Sequence, residues 1–368
     1  MRKIGIVAVV VFVASWMFSL FCMHAAGQAG GTVKEENGSV VSGESVLDGY
    51  GQTGVERSVS GQAAGWDSNG DSQDSGKTAG WNGNSHSADQ GDGEVYSRRI
   101  ILERYGVRTY LSVEDYLPGV MVCQTGPEMG QEALKCQAVI ARTYIYRQMG
   151  ERVEIQEEEL DLDYLGDYTA QAGKTLTVHQ KEELAERLEQ CRQAAEATAG
   201  TVMKYEDRYI LPLFHERSAG RTRTGEADYP YLQSVESKWD VVGNESEKSF
   251  HLSEFAQRIK NLSDAPSLDP DRISSEIQIV KRDDAGYVLQ IKIGPRTYTG
   301  DDVQYALDLP SSCFTIDTRT SGTITVTVKG RGHGYGLSQN GAQAMAEEGW
   351  SYSDILNYYY KNISLMTE

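Results

Sequence analysis

The residue types best suited to chemistry lie in Gly330–Ala342, where glycines alternate with one imidazole, His333, and a Ser-Gln pair follows. Glycine permits positive φ angles and lets a ligand approach the backbone closely. Residues 323–328 predict a strand and residues from Ser338 onward predict a helix. This layout presents backbone N–H groups and a titratable ring at a helix N-terminus. His333 could contact a ligand, relay a proton, bind a metal or hold the loop, whereas Ser338 and Gln339 are expected to cap the helix.

A second candidate region follows the predicted strand 209–214. His215 comes directly after that strand, and a loop rich in small and hydroxyl residues follows over Ser218–Thr222. A lone histidine in such a place is more often a structural donor than a ligand, so both interpretations stay open. The spacing of the cysteines and histidines supports neither a Cys–His nucleophile nor a zinc site. We therefore predict no metal and no cofactor.

The elements that must position these residues can be predicted from periodicity and capping signals. Helices are expected over 131–149 and 181–197, and Ser112 is expected to cap a short helical turn that ends at Leu117. The acidic run 154–163 is typical of a solvated loop or face. Residues of about 245–305 predict a small α/β insertion.

The N-terminus has the pattern of a membrane signal. Two basic residues precede an uncharged apolar run over 4–23, which as a helix would span roughly 30 Å, enough for a bilayer core. We predict a retained anchor over 1–26, with the rest of the chain outside the membrane. Cleavage and secretion are the alternative. Residues 27–97 are rich in Gly, Ser, Asp, Asn and Gln and predict a flexible linker, and 98–366 predict the folded domain.

Charge and cysteine usage narrow the function classes. The formal net charge is −18 at pH 7, which disfavours contact with nucleic acid, so no nucleic-acid partner is expected. The five cysteines show no CxxC spacing. Free thiols are therefore favoured over a disulfide framework.

Four sequence blocks follow one another along the chain, at 116–120 with 132–144, 214–222 with 231–235, 307–316, and 330–342 with 355–360. In this order they resemble the SpoIID/LytB family. The first is similar to the family pattern Y-L-x-G-V-V … E-A-L-K-A-Q-A-V-A-A-R-T-Y, the second to F-H-S-x-S-G-G-x-T … Y-L-x-S-V, the third to L-G-L-x-S-x-x-F-x-I, and the fourth to G-x-G-H-G-V-G-M-S-Q-x-G-A … I-L-x-x-Y-Y. Four blocks in order are far more specific than any one of them.

The resemblance implies an α+β domain with mixed sheets and flanking helices, directed at peptidoglycan. Sporulation members are lytic transglycosylases that cut glycan strands during engulfment, and other members modify cell-wall amidases. The partners it implies are therefore glycan strands and a cell-wall amidase or another sporulation hydrolase. The positions at which it implies substrate contact are His215, Ser218, Gly220, Thr222, His333, Gly334, Ser338 and Gln339.

The resemblance also implies where the catalytic acid should be, and this chain differs there. The family acid is a Glu eight residues before the Glu of E-A-L-K, which is Glu132 here, and that position holds Gln124. A carboxamide can hold a sugar oxygen but has no proton to exchange. Glu128 is the alternative candidate for the catalytic acid. It lies one helical turn nearer the following helix, where a favourable N-terminal charge is the simpler role.

Two functions are therefore expected. In the first, the chain is a membrane-anchored lytic transglycosylase of the SpoIID type, for which one carboxyl group serves as acid and then as base. In the second, it is a catalytically impaired relative that grips glycan strands or stimulates a partner amidase. Position 124 separates the two.

Overall fold

The structure, a computed structural model, covers the C-terminal part of the chain. It describes residues 98–166, 176–241, 243–262, 265–266, 268–269, 272–320 and 322–368. The predicted anchor over 1–26 and linker over 27–97 lie outside the described residues. None of the helices in the described ranges combines the length and the apolar composition that a bilayer span requires.

Helices and short strands mix along the described chain. The strands are β1 (Arg99–Arg104), β2 (Val107–Ser112), β3 (Glu154–Gln156), β4 (Thr201–Tyr205), β5 (Arg208–Tyr209), β6 (Phe214–His215), β7 (Glu245–His251), β8 (Ile277–Arg282), β9 (Val288–Ile293), β10 (Arg296–Tyr298), β11 (Phe314–Asp317), β12 (Thr323–Lys329), β13 (Leu337–Ser338) and β14 (Ser364–Thr367). The helices are α1 (Val113–Gln124), α2 (Gln131–Met149), α3 (Val178–Ala197), α4 (Leu252–Ile259), α5 (Gly300–Leu307), α6 (Gln339–Glu347) and α7 (Tyr352–Tyr359). The fold class is α+β, as predicted.

The strands form several small sheets. Their orders are β2-β1-β3, β10-β9-β8, β11-β12-β7, β13-β6 and β14-β4-β5 among the described residues. Neighbours are antiparallel except in two pairs, β1 with β3 and β13 with β6, which are parallel. The sheets are therefore mixed, and the short parallel pair β13–β6 joins two of the sequence blocks.

Helix α1 is longer than the predicted turn. Ser112 caps it as expected, accepting a hydrogen bond from the Asp115 backbone N–H. The helix then continues to Gln124 through Pro118, a residue that removes one backbone hydrogen bond and is typical of a helix end. Burial explains the continuation, because Leu117 and Val120 are fully buried on either side of the proline. The prediction was wrong because tertiary packing outweighs a local breaker.

Helix α2 has the bounds that periodicity predicted, Gln131–Met149. Its Arg142 is fully buried and donates two hydrogen bonds to the Glu114 carboxylate of α1, at 2.7 and 2.6 Å. The same guanidinium donates to the carbonyls of Ala195 and Thr201. A buried guanidinium needs this many acceptors, so Arg142 has a structural role and fixes α1 against α2.

The acidic run 154–163 is not simply a solvated loop. Residues Glu154–Gln156 form β3, which pairs in parallel with β1. Glu157 is buried, forms an ion pair with Arg104 and accepts a hydrogen bond from the Tyr116 hydroxyl. The prediction was wrong here because the partners of these acids lie more than forty positions earlier in the sequence.

The predicted insertion contains the expected elements but shares its core with the rest of the domain. Its strand β7 pairs along its whole length with β12, the strand that leads into the glycine-rich loop. Buried side chains of α4, α5, β9 and β12 belong to one hydrophobic cluster. This core therefore fixes the position of β12 and of Gly330, the residue that directly follows it.

Another hydrophobic cluster holds the C-terminal helices against α2. Buried residues of α2, α6 and α7 pack together there, including Ile140, Met345 and Ile355. This packing brings the N-terminus of α6 to the end of α1, where Gln124 lies.

Candidate functional site

Two sequence blocks meet at the parallel pair β13–β6. Phe214 lies opposite Leu337, and His215 lies opposite Ser338. The pairing continues past the strand, since the Asn340 backbone N–H donates to the Glu216 carbonyl at 3.0 Å. The glycine-rich loop and the His215 segment are therefore one structural unit.

Asp240 holds this unit together. Its carboxylate is fully buried and accepts hydrogen bonds from the Ser218 backbone N–H at 3.0 Å, the Ser218 hydroxyl at 2.6 Å, the Ser338 hydroxyl at 3.0 Å and the Asn340 amide at 2.9 Å. Ser338 also caps α6 as predicted, accepting from the Gly341 N–H. Both serines are buried, so their hydroxyls act here as structural donors. Sequence reasoning missed Asp240, although it lies only five residues after the end of the second block.

The two histidines have defined tautomers because both bind the backbone of Tyr335. His215 Nδ1 lies 3.1 Å from the Tyr335 carbonyl, an acceptor, so Nδ1 carries the proton and Nε2 keeps a lone pair. His333 Nδ1 accepts from the Tyr335 N–H at 3.0 Å, so its proton is on Nε2. Both Nε2 atoms are buried. The Phe214 backbone is a hydrogen-bonding neighbour of the His333 ring. The His215 Nε2 is therefore an acceptor, and the His333 Nε2 is a donor.

Burial keeps both rings neutral near pH 7. It lowers the pKa of His215 to about 4, while the Asp240 charge and the hydrogen bond to Tyr335 act in the opposite direction. Burial, and with it the nearby His215, lowers the pKa of His333 to about 3.

Among the described residues, no group of three or more His, Cys, Asp or Glu side chains could hold a metal ion.

Gly220, Thr222 and Gly334, also predicted as contacts, shape the backbone. The Gly220 N–H donates to the Ser218 hydroxyl at 3.1 Å. Thr222 and Val235 exchange backbone and side-chain hydrogen bonds. Gly334 has a φ of +80°, and a Cβ there would lie 2.4 Å from the Tyr287 ring. Only glycine fits that position.

Gln124 ends α1 within a network of three glutamines. The Gln339 Nε2 donates to the Gln124 backbone carbonyl at 2.8 Å and to Gln137 Oε1 at 3.2 Å. The Gln137 Nε2 in turn donates to Gln124 Oε1 at 2.8 Å. Because a backbone carbonyl can only accept, this chain of bonds fixes the orientation of all three amides. The side-chain oxygen of Gln124, Oε1, therefore accepts from Gln137. The side-chain NH₂ group of Gln124 lies outside the network.

Glu128, the other predicted acid, is exposed in the turn between α1 and α2. The turn itself is anchored elsewhere, through the Gly130 N–H, which donates to the Gln343 side chain of α6 at 2.6 Å. A carboxyl group so placed faces water, so its simplest role is that of a surface charge.

Sequence reasoning did not single out Glu216, which follows β6 directly. Its side chain is 32% exposed and its carboxylate pairs with Arg331 at 3.3 Å. Burial raises the pKa of Glu216, against the opposing charges of Arg331 and Arg217. A signal was present in the sequence, because the similar family pattern has Ser at this position of the block.

Gln124 also borders a small cavity of about 10 Å³, which Tyr144, Leu162, Pro212 and Phe214 line with it. Such a volume holds at most one water molecule. A polymeric ligand would therefore lie across the surface. We call the surface formed by Gln124, Tyr144, Phe214 and Gln339 the Gln124 face.

Sequence blocks that lie far apart in the chain thus converge on one face of this α+β domain. A family model described as Stage II sporulation protein, SpoIID, matches residues 103–205. The chain is 33% identical over 266 residues to the stage II sporulation protein D of Bacillus amyloliquefaciens, which covers 69% of this chain and 74% of the relative. The Bacillus subtilis stage II sporulation protein D is 32% identical over 264 residues, with the same coverage.

A third relative, an uncharacterized protein of Brachyspira hyodysenteriae, is 27% identical over 271 residues, which cover 70% of this chain and 67% of that protein. With these similarities, the chain belongs to the stage II sporulation protein D family, a family of sporulation proteins.

Proposed function

We propose that this protein binds peptidoglycan glycan strands across the Gln124 face. Family membership supports the ligand class, and the observation that carries the proposal is the orientation of Gln124. The Gln137 and Gln339 amides hold its carbonyl oxygen and backbone, which leaves its NH₂ group to donate to a sugar oxygen. Glycan strands offer hydroxyl, ether and acetamido oxygens as acceptors, so one fixed donor suits them.

The side-chain chemistry of Gln124 argues against acid catalysis by this residue. A lytic transglycosylase protonates the glycosidic oxygen and then removes a proton from the sugar's 6-hydroxyl, and both steps need a titratable group. The carboxamide has no such proton. Gln124 is therefore a holding residue in this proposal.

The sequence supports a place of action outside the cell membrane. The apolar run over 4–23 after two basic residues supports a single-pass anchor, with residues 98–366 outside the cell membrane, where peptidoglycan lies. Within the family's context, sporulation is the process in which the glycan strands would be met. Lytic transglycosylation is the second candidate function. The observation that favours it is the partly buried carboxyl group of Glu216, whose pKa is raised by burial.

The test is sedimentation of the full-length protein, in mild detergent, with purified peptidoglycan. We expect the protein to pellet, and we expect Gln124→Met, which keeps the volume but removes the donor, to weaken pelleting about tenfold. Glu128→Gln is the matched control in the neighbouring turn and should pellet as the parent does. Absence of pelleting by the parent, or equal losses in both variants, would refute the proposal.

A further inference from the structure

We propose that Glu216 is the acid–base carboxyl group of this protein, and that it cleaves the glycan strand bound at the Gln124 face. This inference rests on the proposed function, because a strand must be bound before it can be cut. Glu216 would thus perform, from the neighbouring segment, the chemistry that Gln124 cannot perform.

The backbone places Glu216 next to the Gln124 face. The chain bends at Glu216, directly after β6, and the Glu216 carbonyl accepts a hydrogen bond from the Asn340 N–H of α6 at 3.0 Å. Phe214, two positions earlier, lines the cavity beside Gln124. The Glu216 carboxylate lies 3.3 Å from the Arg331 guanidinium of the glycine-rich loop. Glu216 also follows Ser338's partner in the parallel pair, which puts it beside Gln339, whose amide donates to the Gln124 carbonyl.

The surroundings of Glu216 suit a group that must hold a proton and then release it. The carboxyl group is partly buried yet still reachable from solvent, with 32% of its side chain exposed. Its cationic neighbours are Arg331, half exposed at the start of the glycine-rich loop, and Arg217. Burial outweighs both charges and raises its pKa, as a general acid requires. Of the described carboxyl groups with a clearly displaced pKa, Glu216 alone is displaced upward.

Other acids near the site are already committed. Asp240 is fully buried and accepts four hydrogen bonds. Glu132 accepts from Lys135 through one oxygen and from the Tyr352 N–H through the other. Glu114 is clamped by Arg142. Each of these carboxylates would have to give up its hydrogen-bond donors to reach a substrate. Glu216, in contrast, forms one ion pair, with the half-exposed Arg331.

The proposed step conserves atoms and electrons without any co-reactant. The protonated Glu216 gives its proton to the glycosidic oxygen as the C1–O4 bond breaks, which frees the 4-hydroxyl of the leaving sugar. The resulting carboxylate takes the proton of the 6-hydroxyl on the cationic sugar. That oxygen then bonds to C1 and closes a 1,6-anhydro ring. The proton taken from the 6-hydroxyl leaves Glu216 protonated again.

The experiment measures release of 1,6-anhydro muropeptides from purified peptidoglycan by the full-length protein, with pelleting measured on the same samples. We expect release by the parent, and a loss of about 100-fold or more in Glu216→Gln and in Glu216→Ser, the residue of the similar family pattern. Pelleting of both variants should be unchanged, which also shows that they fold. Glu128→Gln should release at the parental rate.

The pH profile adds a readout that a structural role would not move. Release should fall as pH rises above the pKa of Glu216, because the acid must be protonated, and Glu216→Asp should shift that limb. A parent that pellets but releases nothing, or a Glu216→Gln variant that still releases, overturns this inference and leaves the proposed function standing. A parent that does not pellet overturns the proposed function.

Discussion

At the scale of residues, Asp240 joins the two segments of the site through four hydrogen bonds to its carboxylate. Ser218 and Ser338 were predicted as substrate contacts, yet both donate to this carboxylate. The donors come from positions 22 and 98 residues away. Their types and loop contexts could be predicted, but the shared acceptor could not, because nothing local in a sequence encodes so distant a partner.

Asp240→Ala should therefore be strongly destabilising. The substitution leaves the buried hydroxyls of Ser218 and Ser338 and the amide of Asn340 without their acceptor, at a cost of about 3 kcal/mol or more in the free energy of unfolding. Urea denaturation of the full-length protein would measure this. Asp284→Ala, at an exposed position, is the control and should change stability by less than about 0.5 kcal/mol. Similar values for the two variants would contradict the role given to Asp240.

At the scale of elements, the helices with strong periodicity were predictable and the short strands were not. Helix α2 begins and ends where its pattern predicted, whereas α3 begins at Val178, three residues before the expected start, behind a Thr177 capping box. The pair β13–β6 is two residues long. It exists because the cores of the insertion and of the C-terminal helices bring its strands together, and no local pattern reports that.

The glycine-rich loop depends on close backbone approach, which Gly336 illustrates. Its φ is +69°, and a Cβ there would lie 1.8 Å from the Leu213 carbonyl oxygen. We expect Gly336→Ala to lower the free energy of unfolding by about 3 kcal/mol or more, from backbone strain and displacement of β6 together. Gly349→Ala is the matched control, since its φ is +90° but no heavy atom lies within 4 Å of the added Cβ. It should cost only the strain, about 1–2 kcal/mol, and equal losses would contradict the steric account.

At the scale of the whole molecule, stability should fall on mild acidification. The folded pKa values of His215 and His333, about 4 and about 3, lie below the ordinary value of 6.5. The unfolded chain therefore binds more protons from pH 6.5 down to about 4 for His215 and about 3 for His333, so stability is full above pH 6.5 and is lost as pH falls through this window. We expect a loss of about 2–4 kcal/mol between pH 7.5 and pH 5, measured by urea denaturation.

Variants of the two kinds of histidine separate this effect from general acid denaturation. His215→Asn keeps a donor for the Tyr335 carbonyl but cannot titrate, so its pH dependence should be weaker. His179→Gln removes an exposed histidine and should keep the parental dependence. The same slope in all three proteins would show that the buried rings do not govern it.

The whole-molecule fold class and the family could be predicted from the sequence because the four blocks are specific in order and spacing. The departure from the family pattern at Gln124 is visible in the sequence, whereas the role proposed for Glu216 depends on its partial burial and on its ion pair with Arg331, which only the structure reports. Side-chain environment depends on packing, which the sequence pattern does not report.

Hydrogen–deuterium exchange of the full-length protein, with and without purified soluble glycan strands, tests binding at the Gln124 face most directly. We predict slower exchange on addition of strands in peptides covering residues 121–130, 214–220 and 330–342. Peptides of the β8–β10 sheet should exchange at unchanged rates. Protection confined to β8–β10, or no protection at a strand concentration that saturates another peptidoglycan-binding protein, would contradict it.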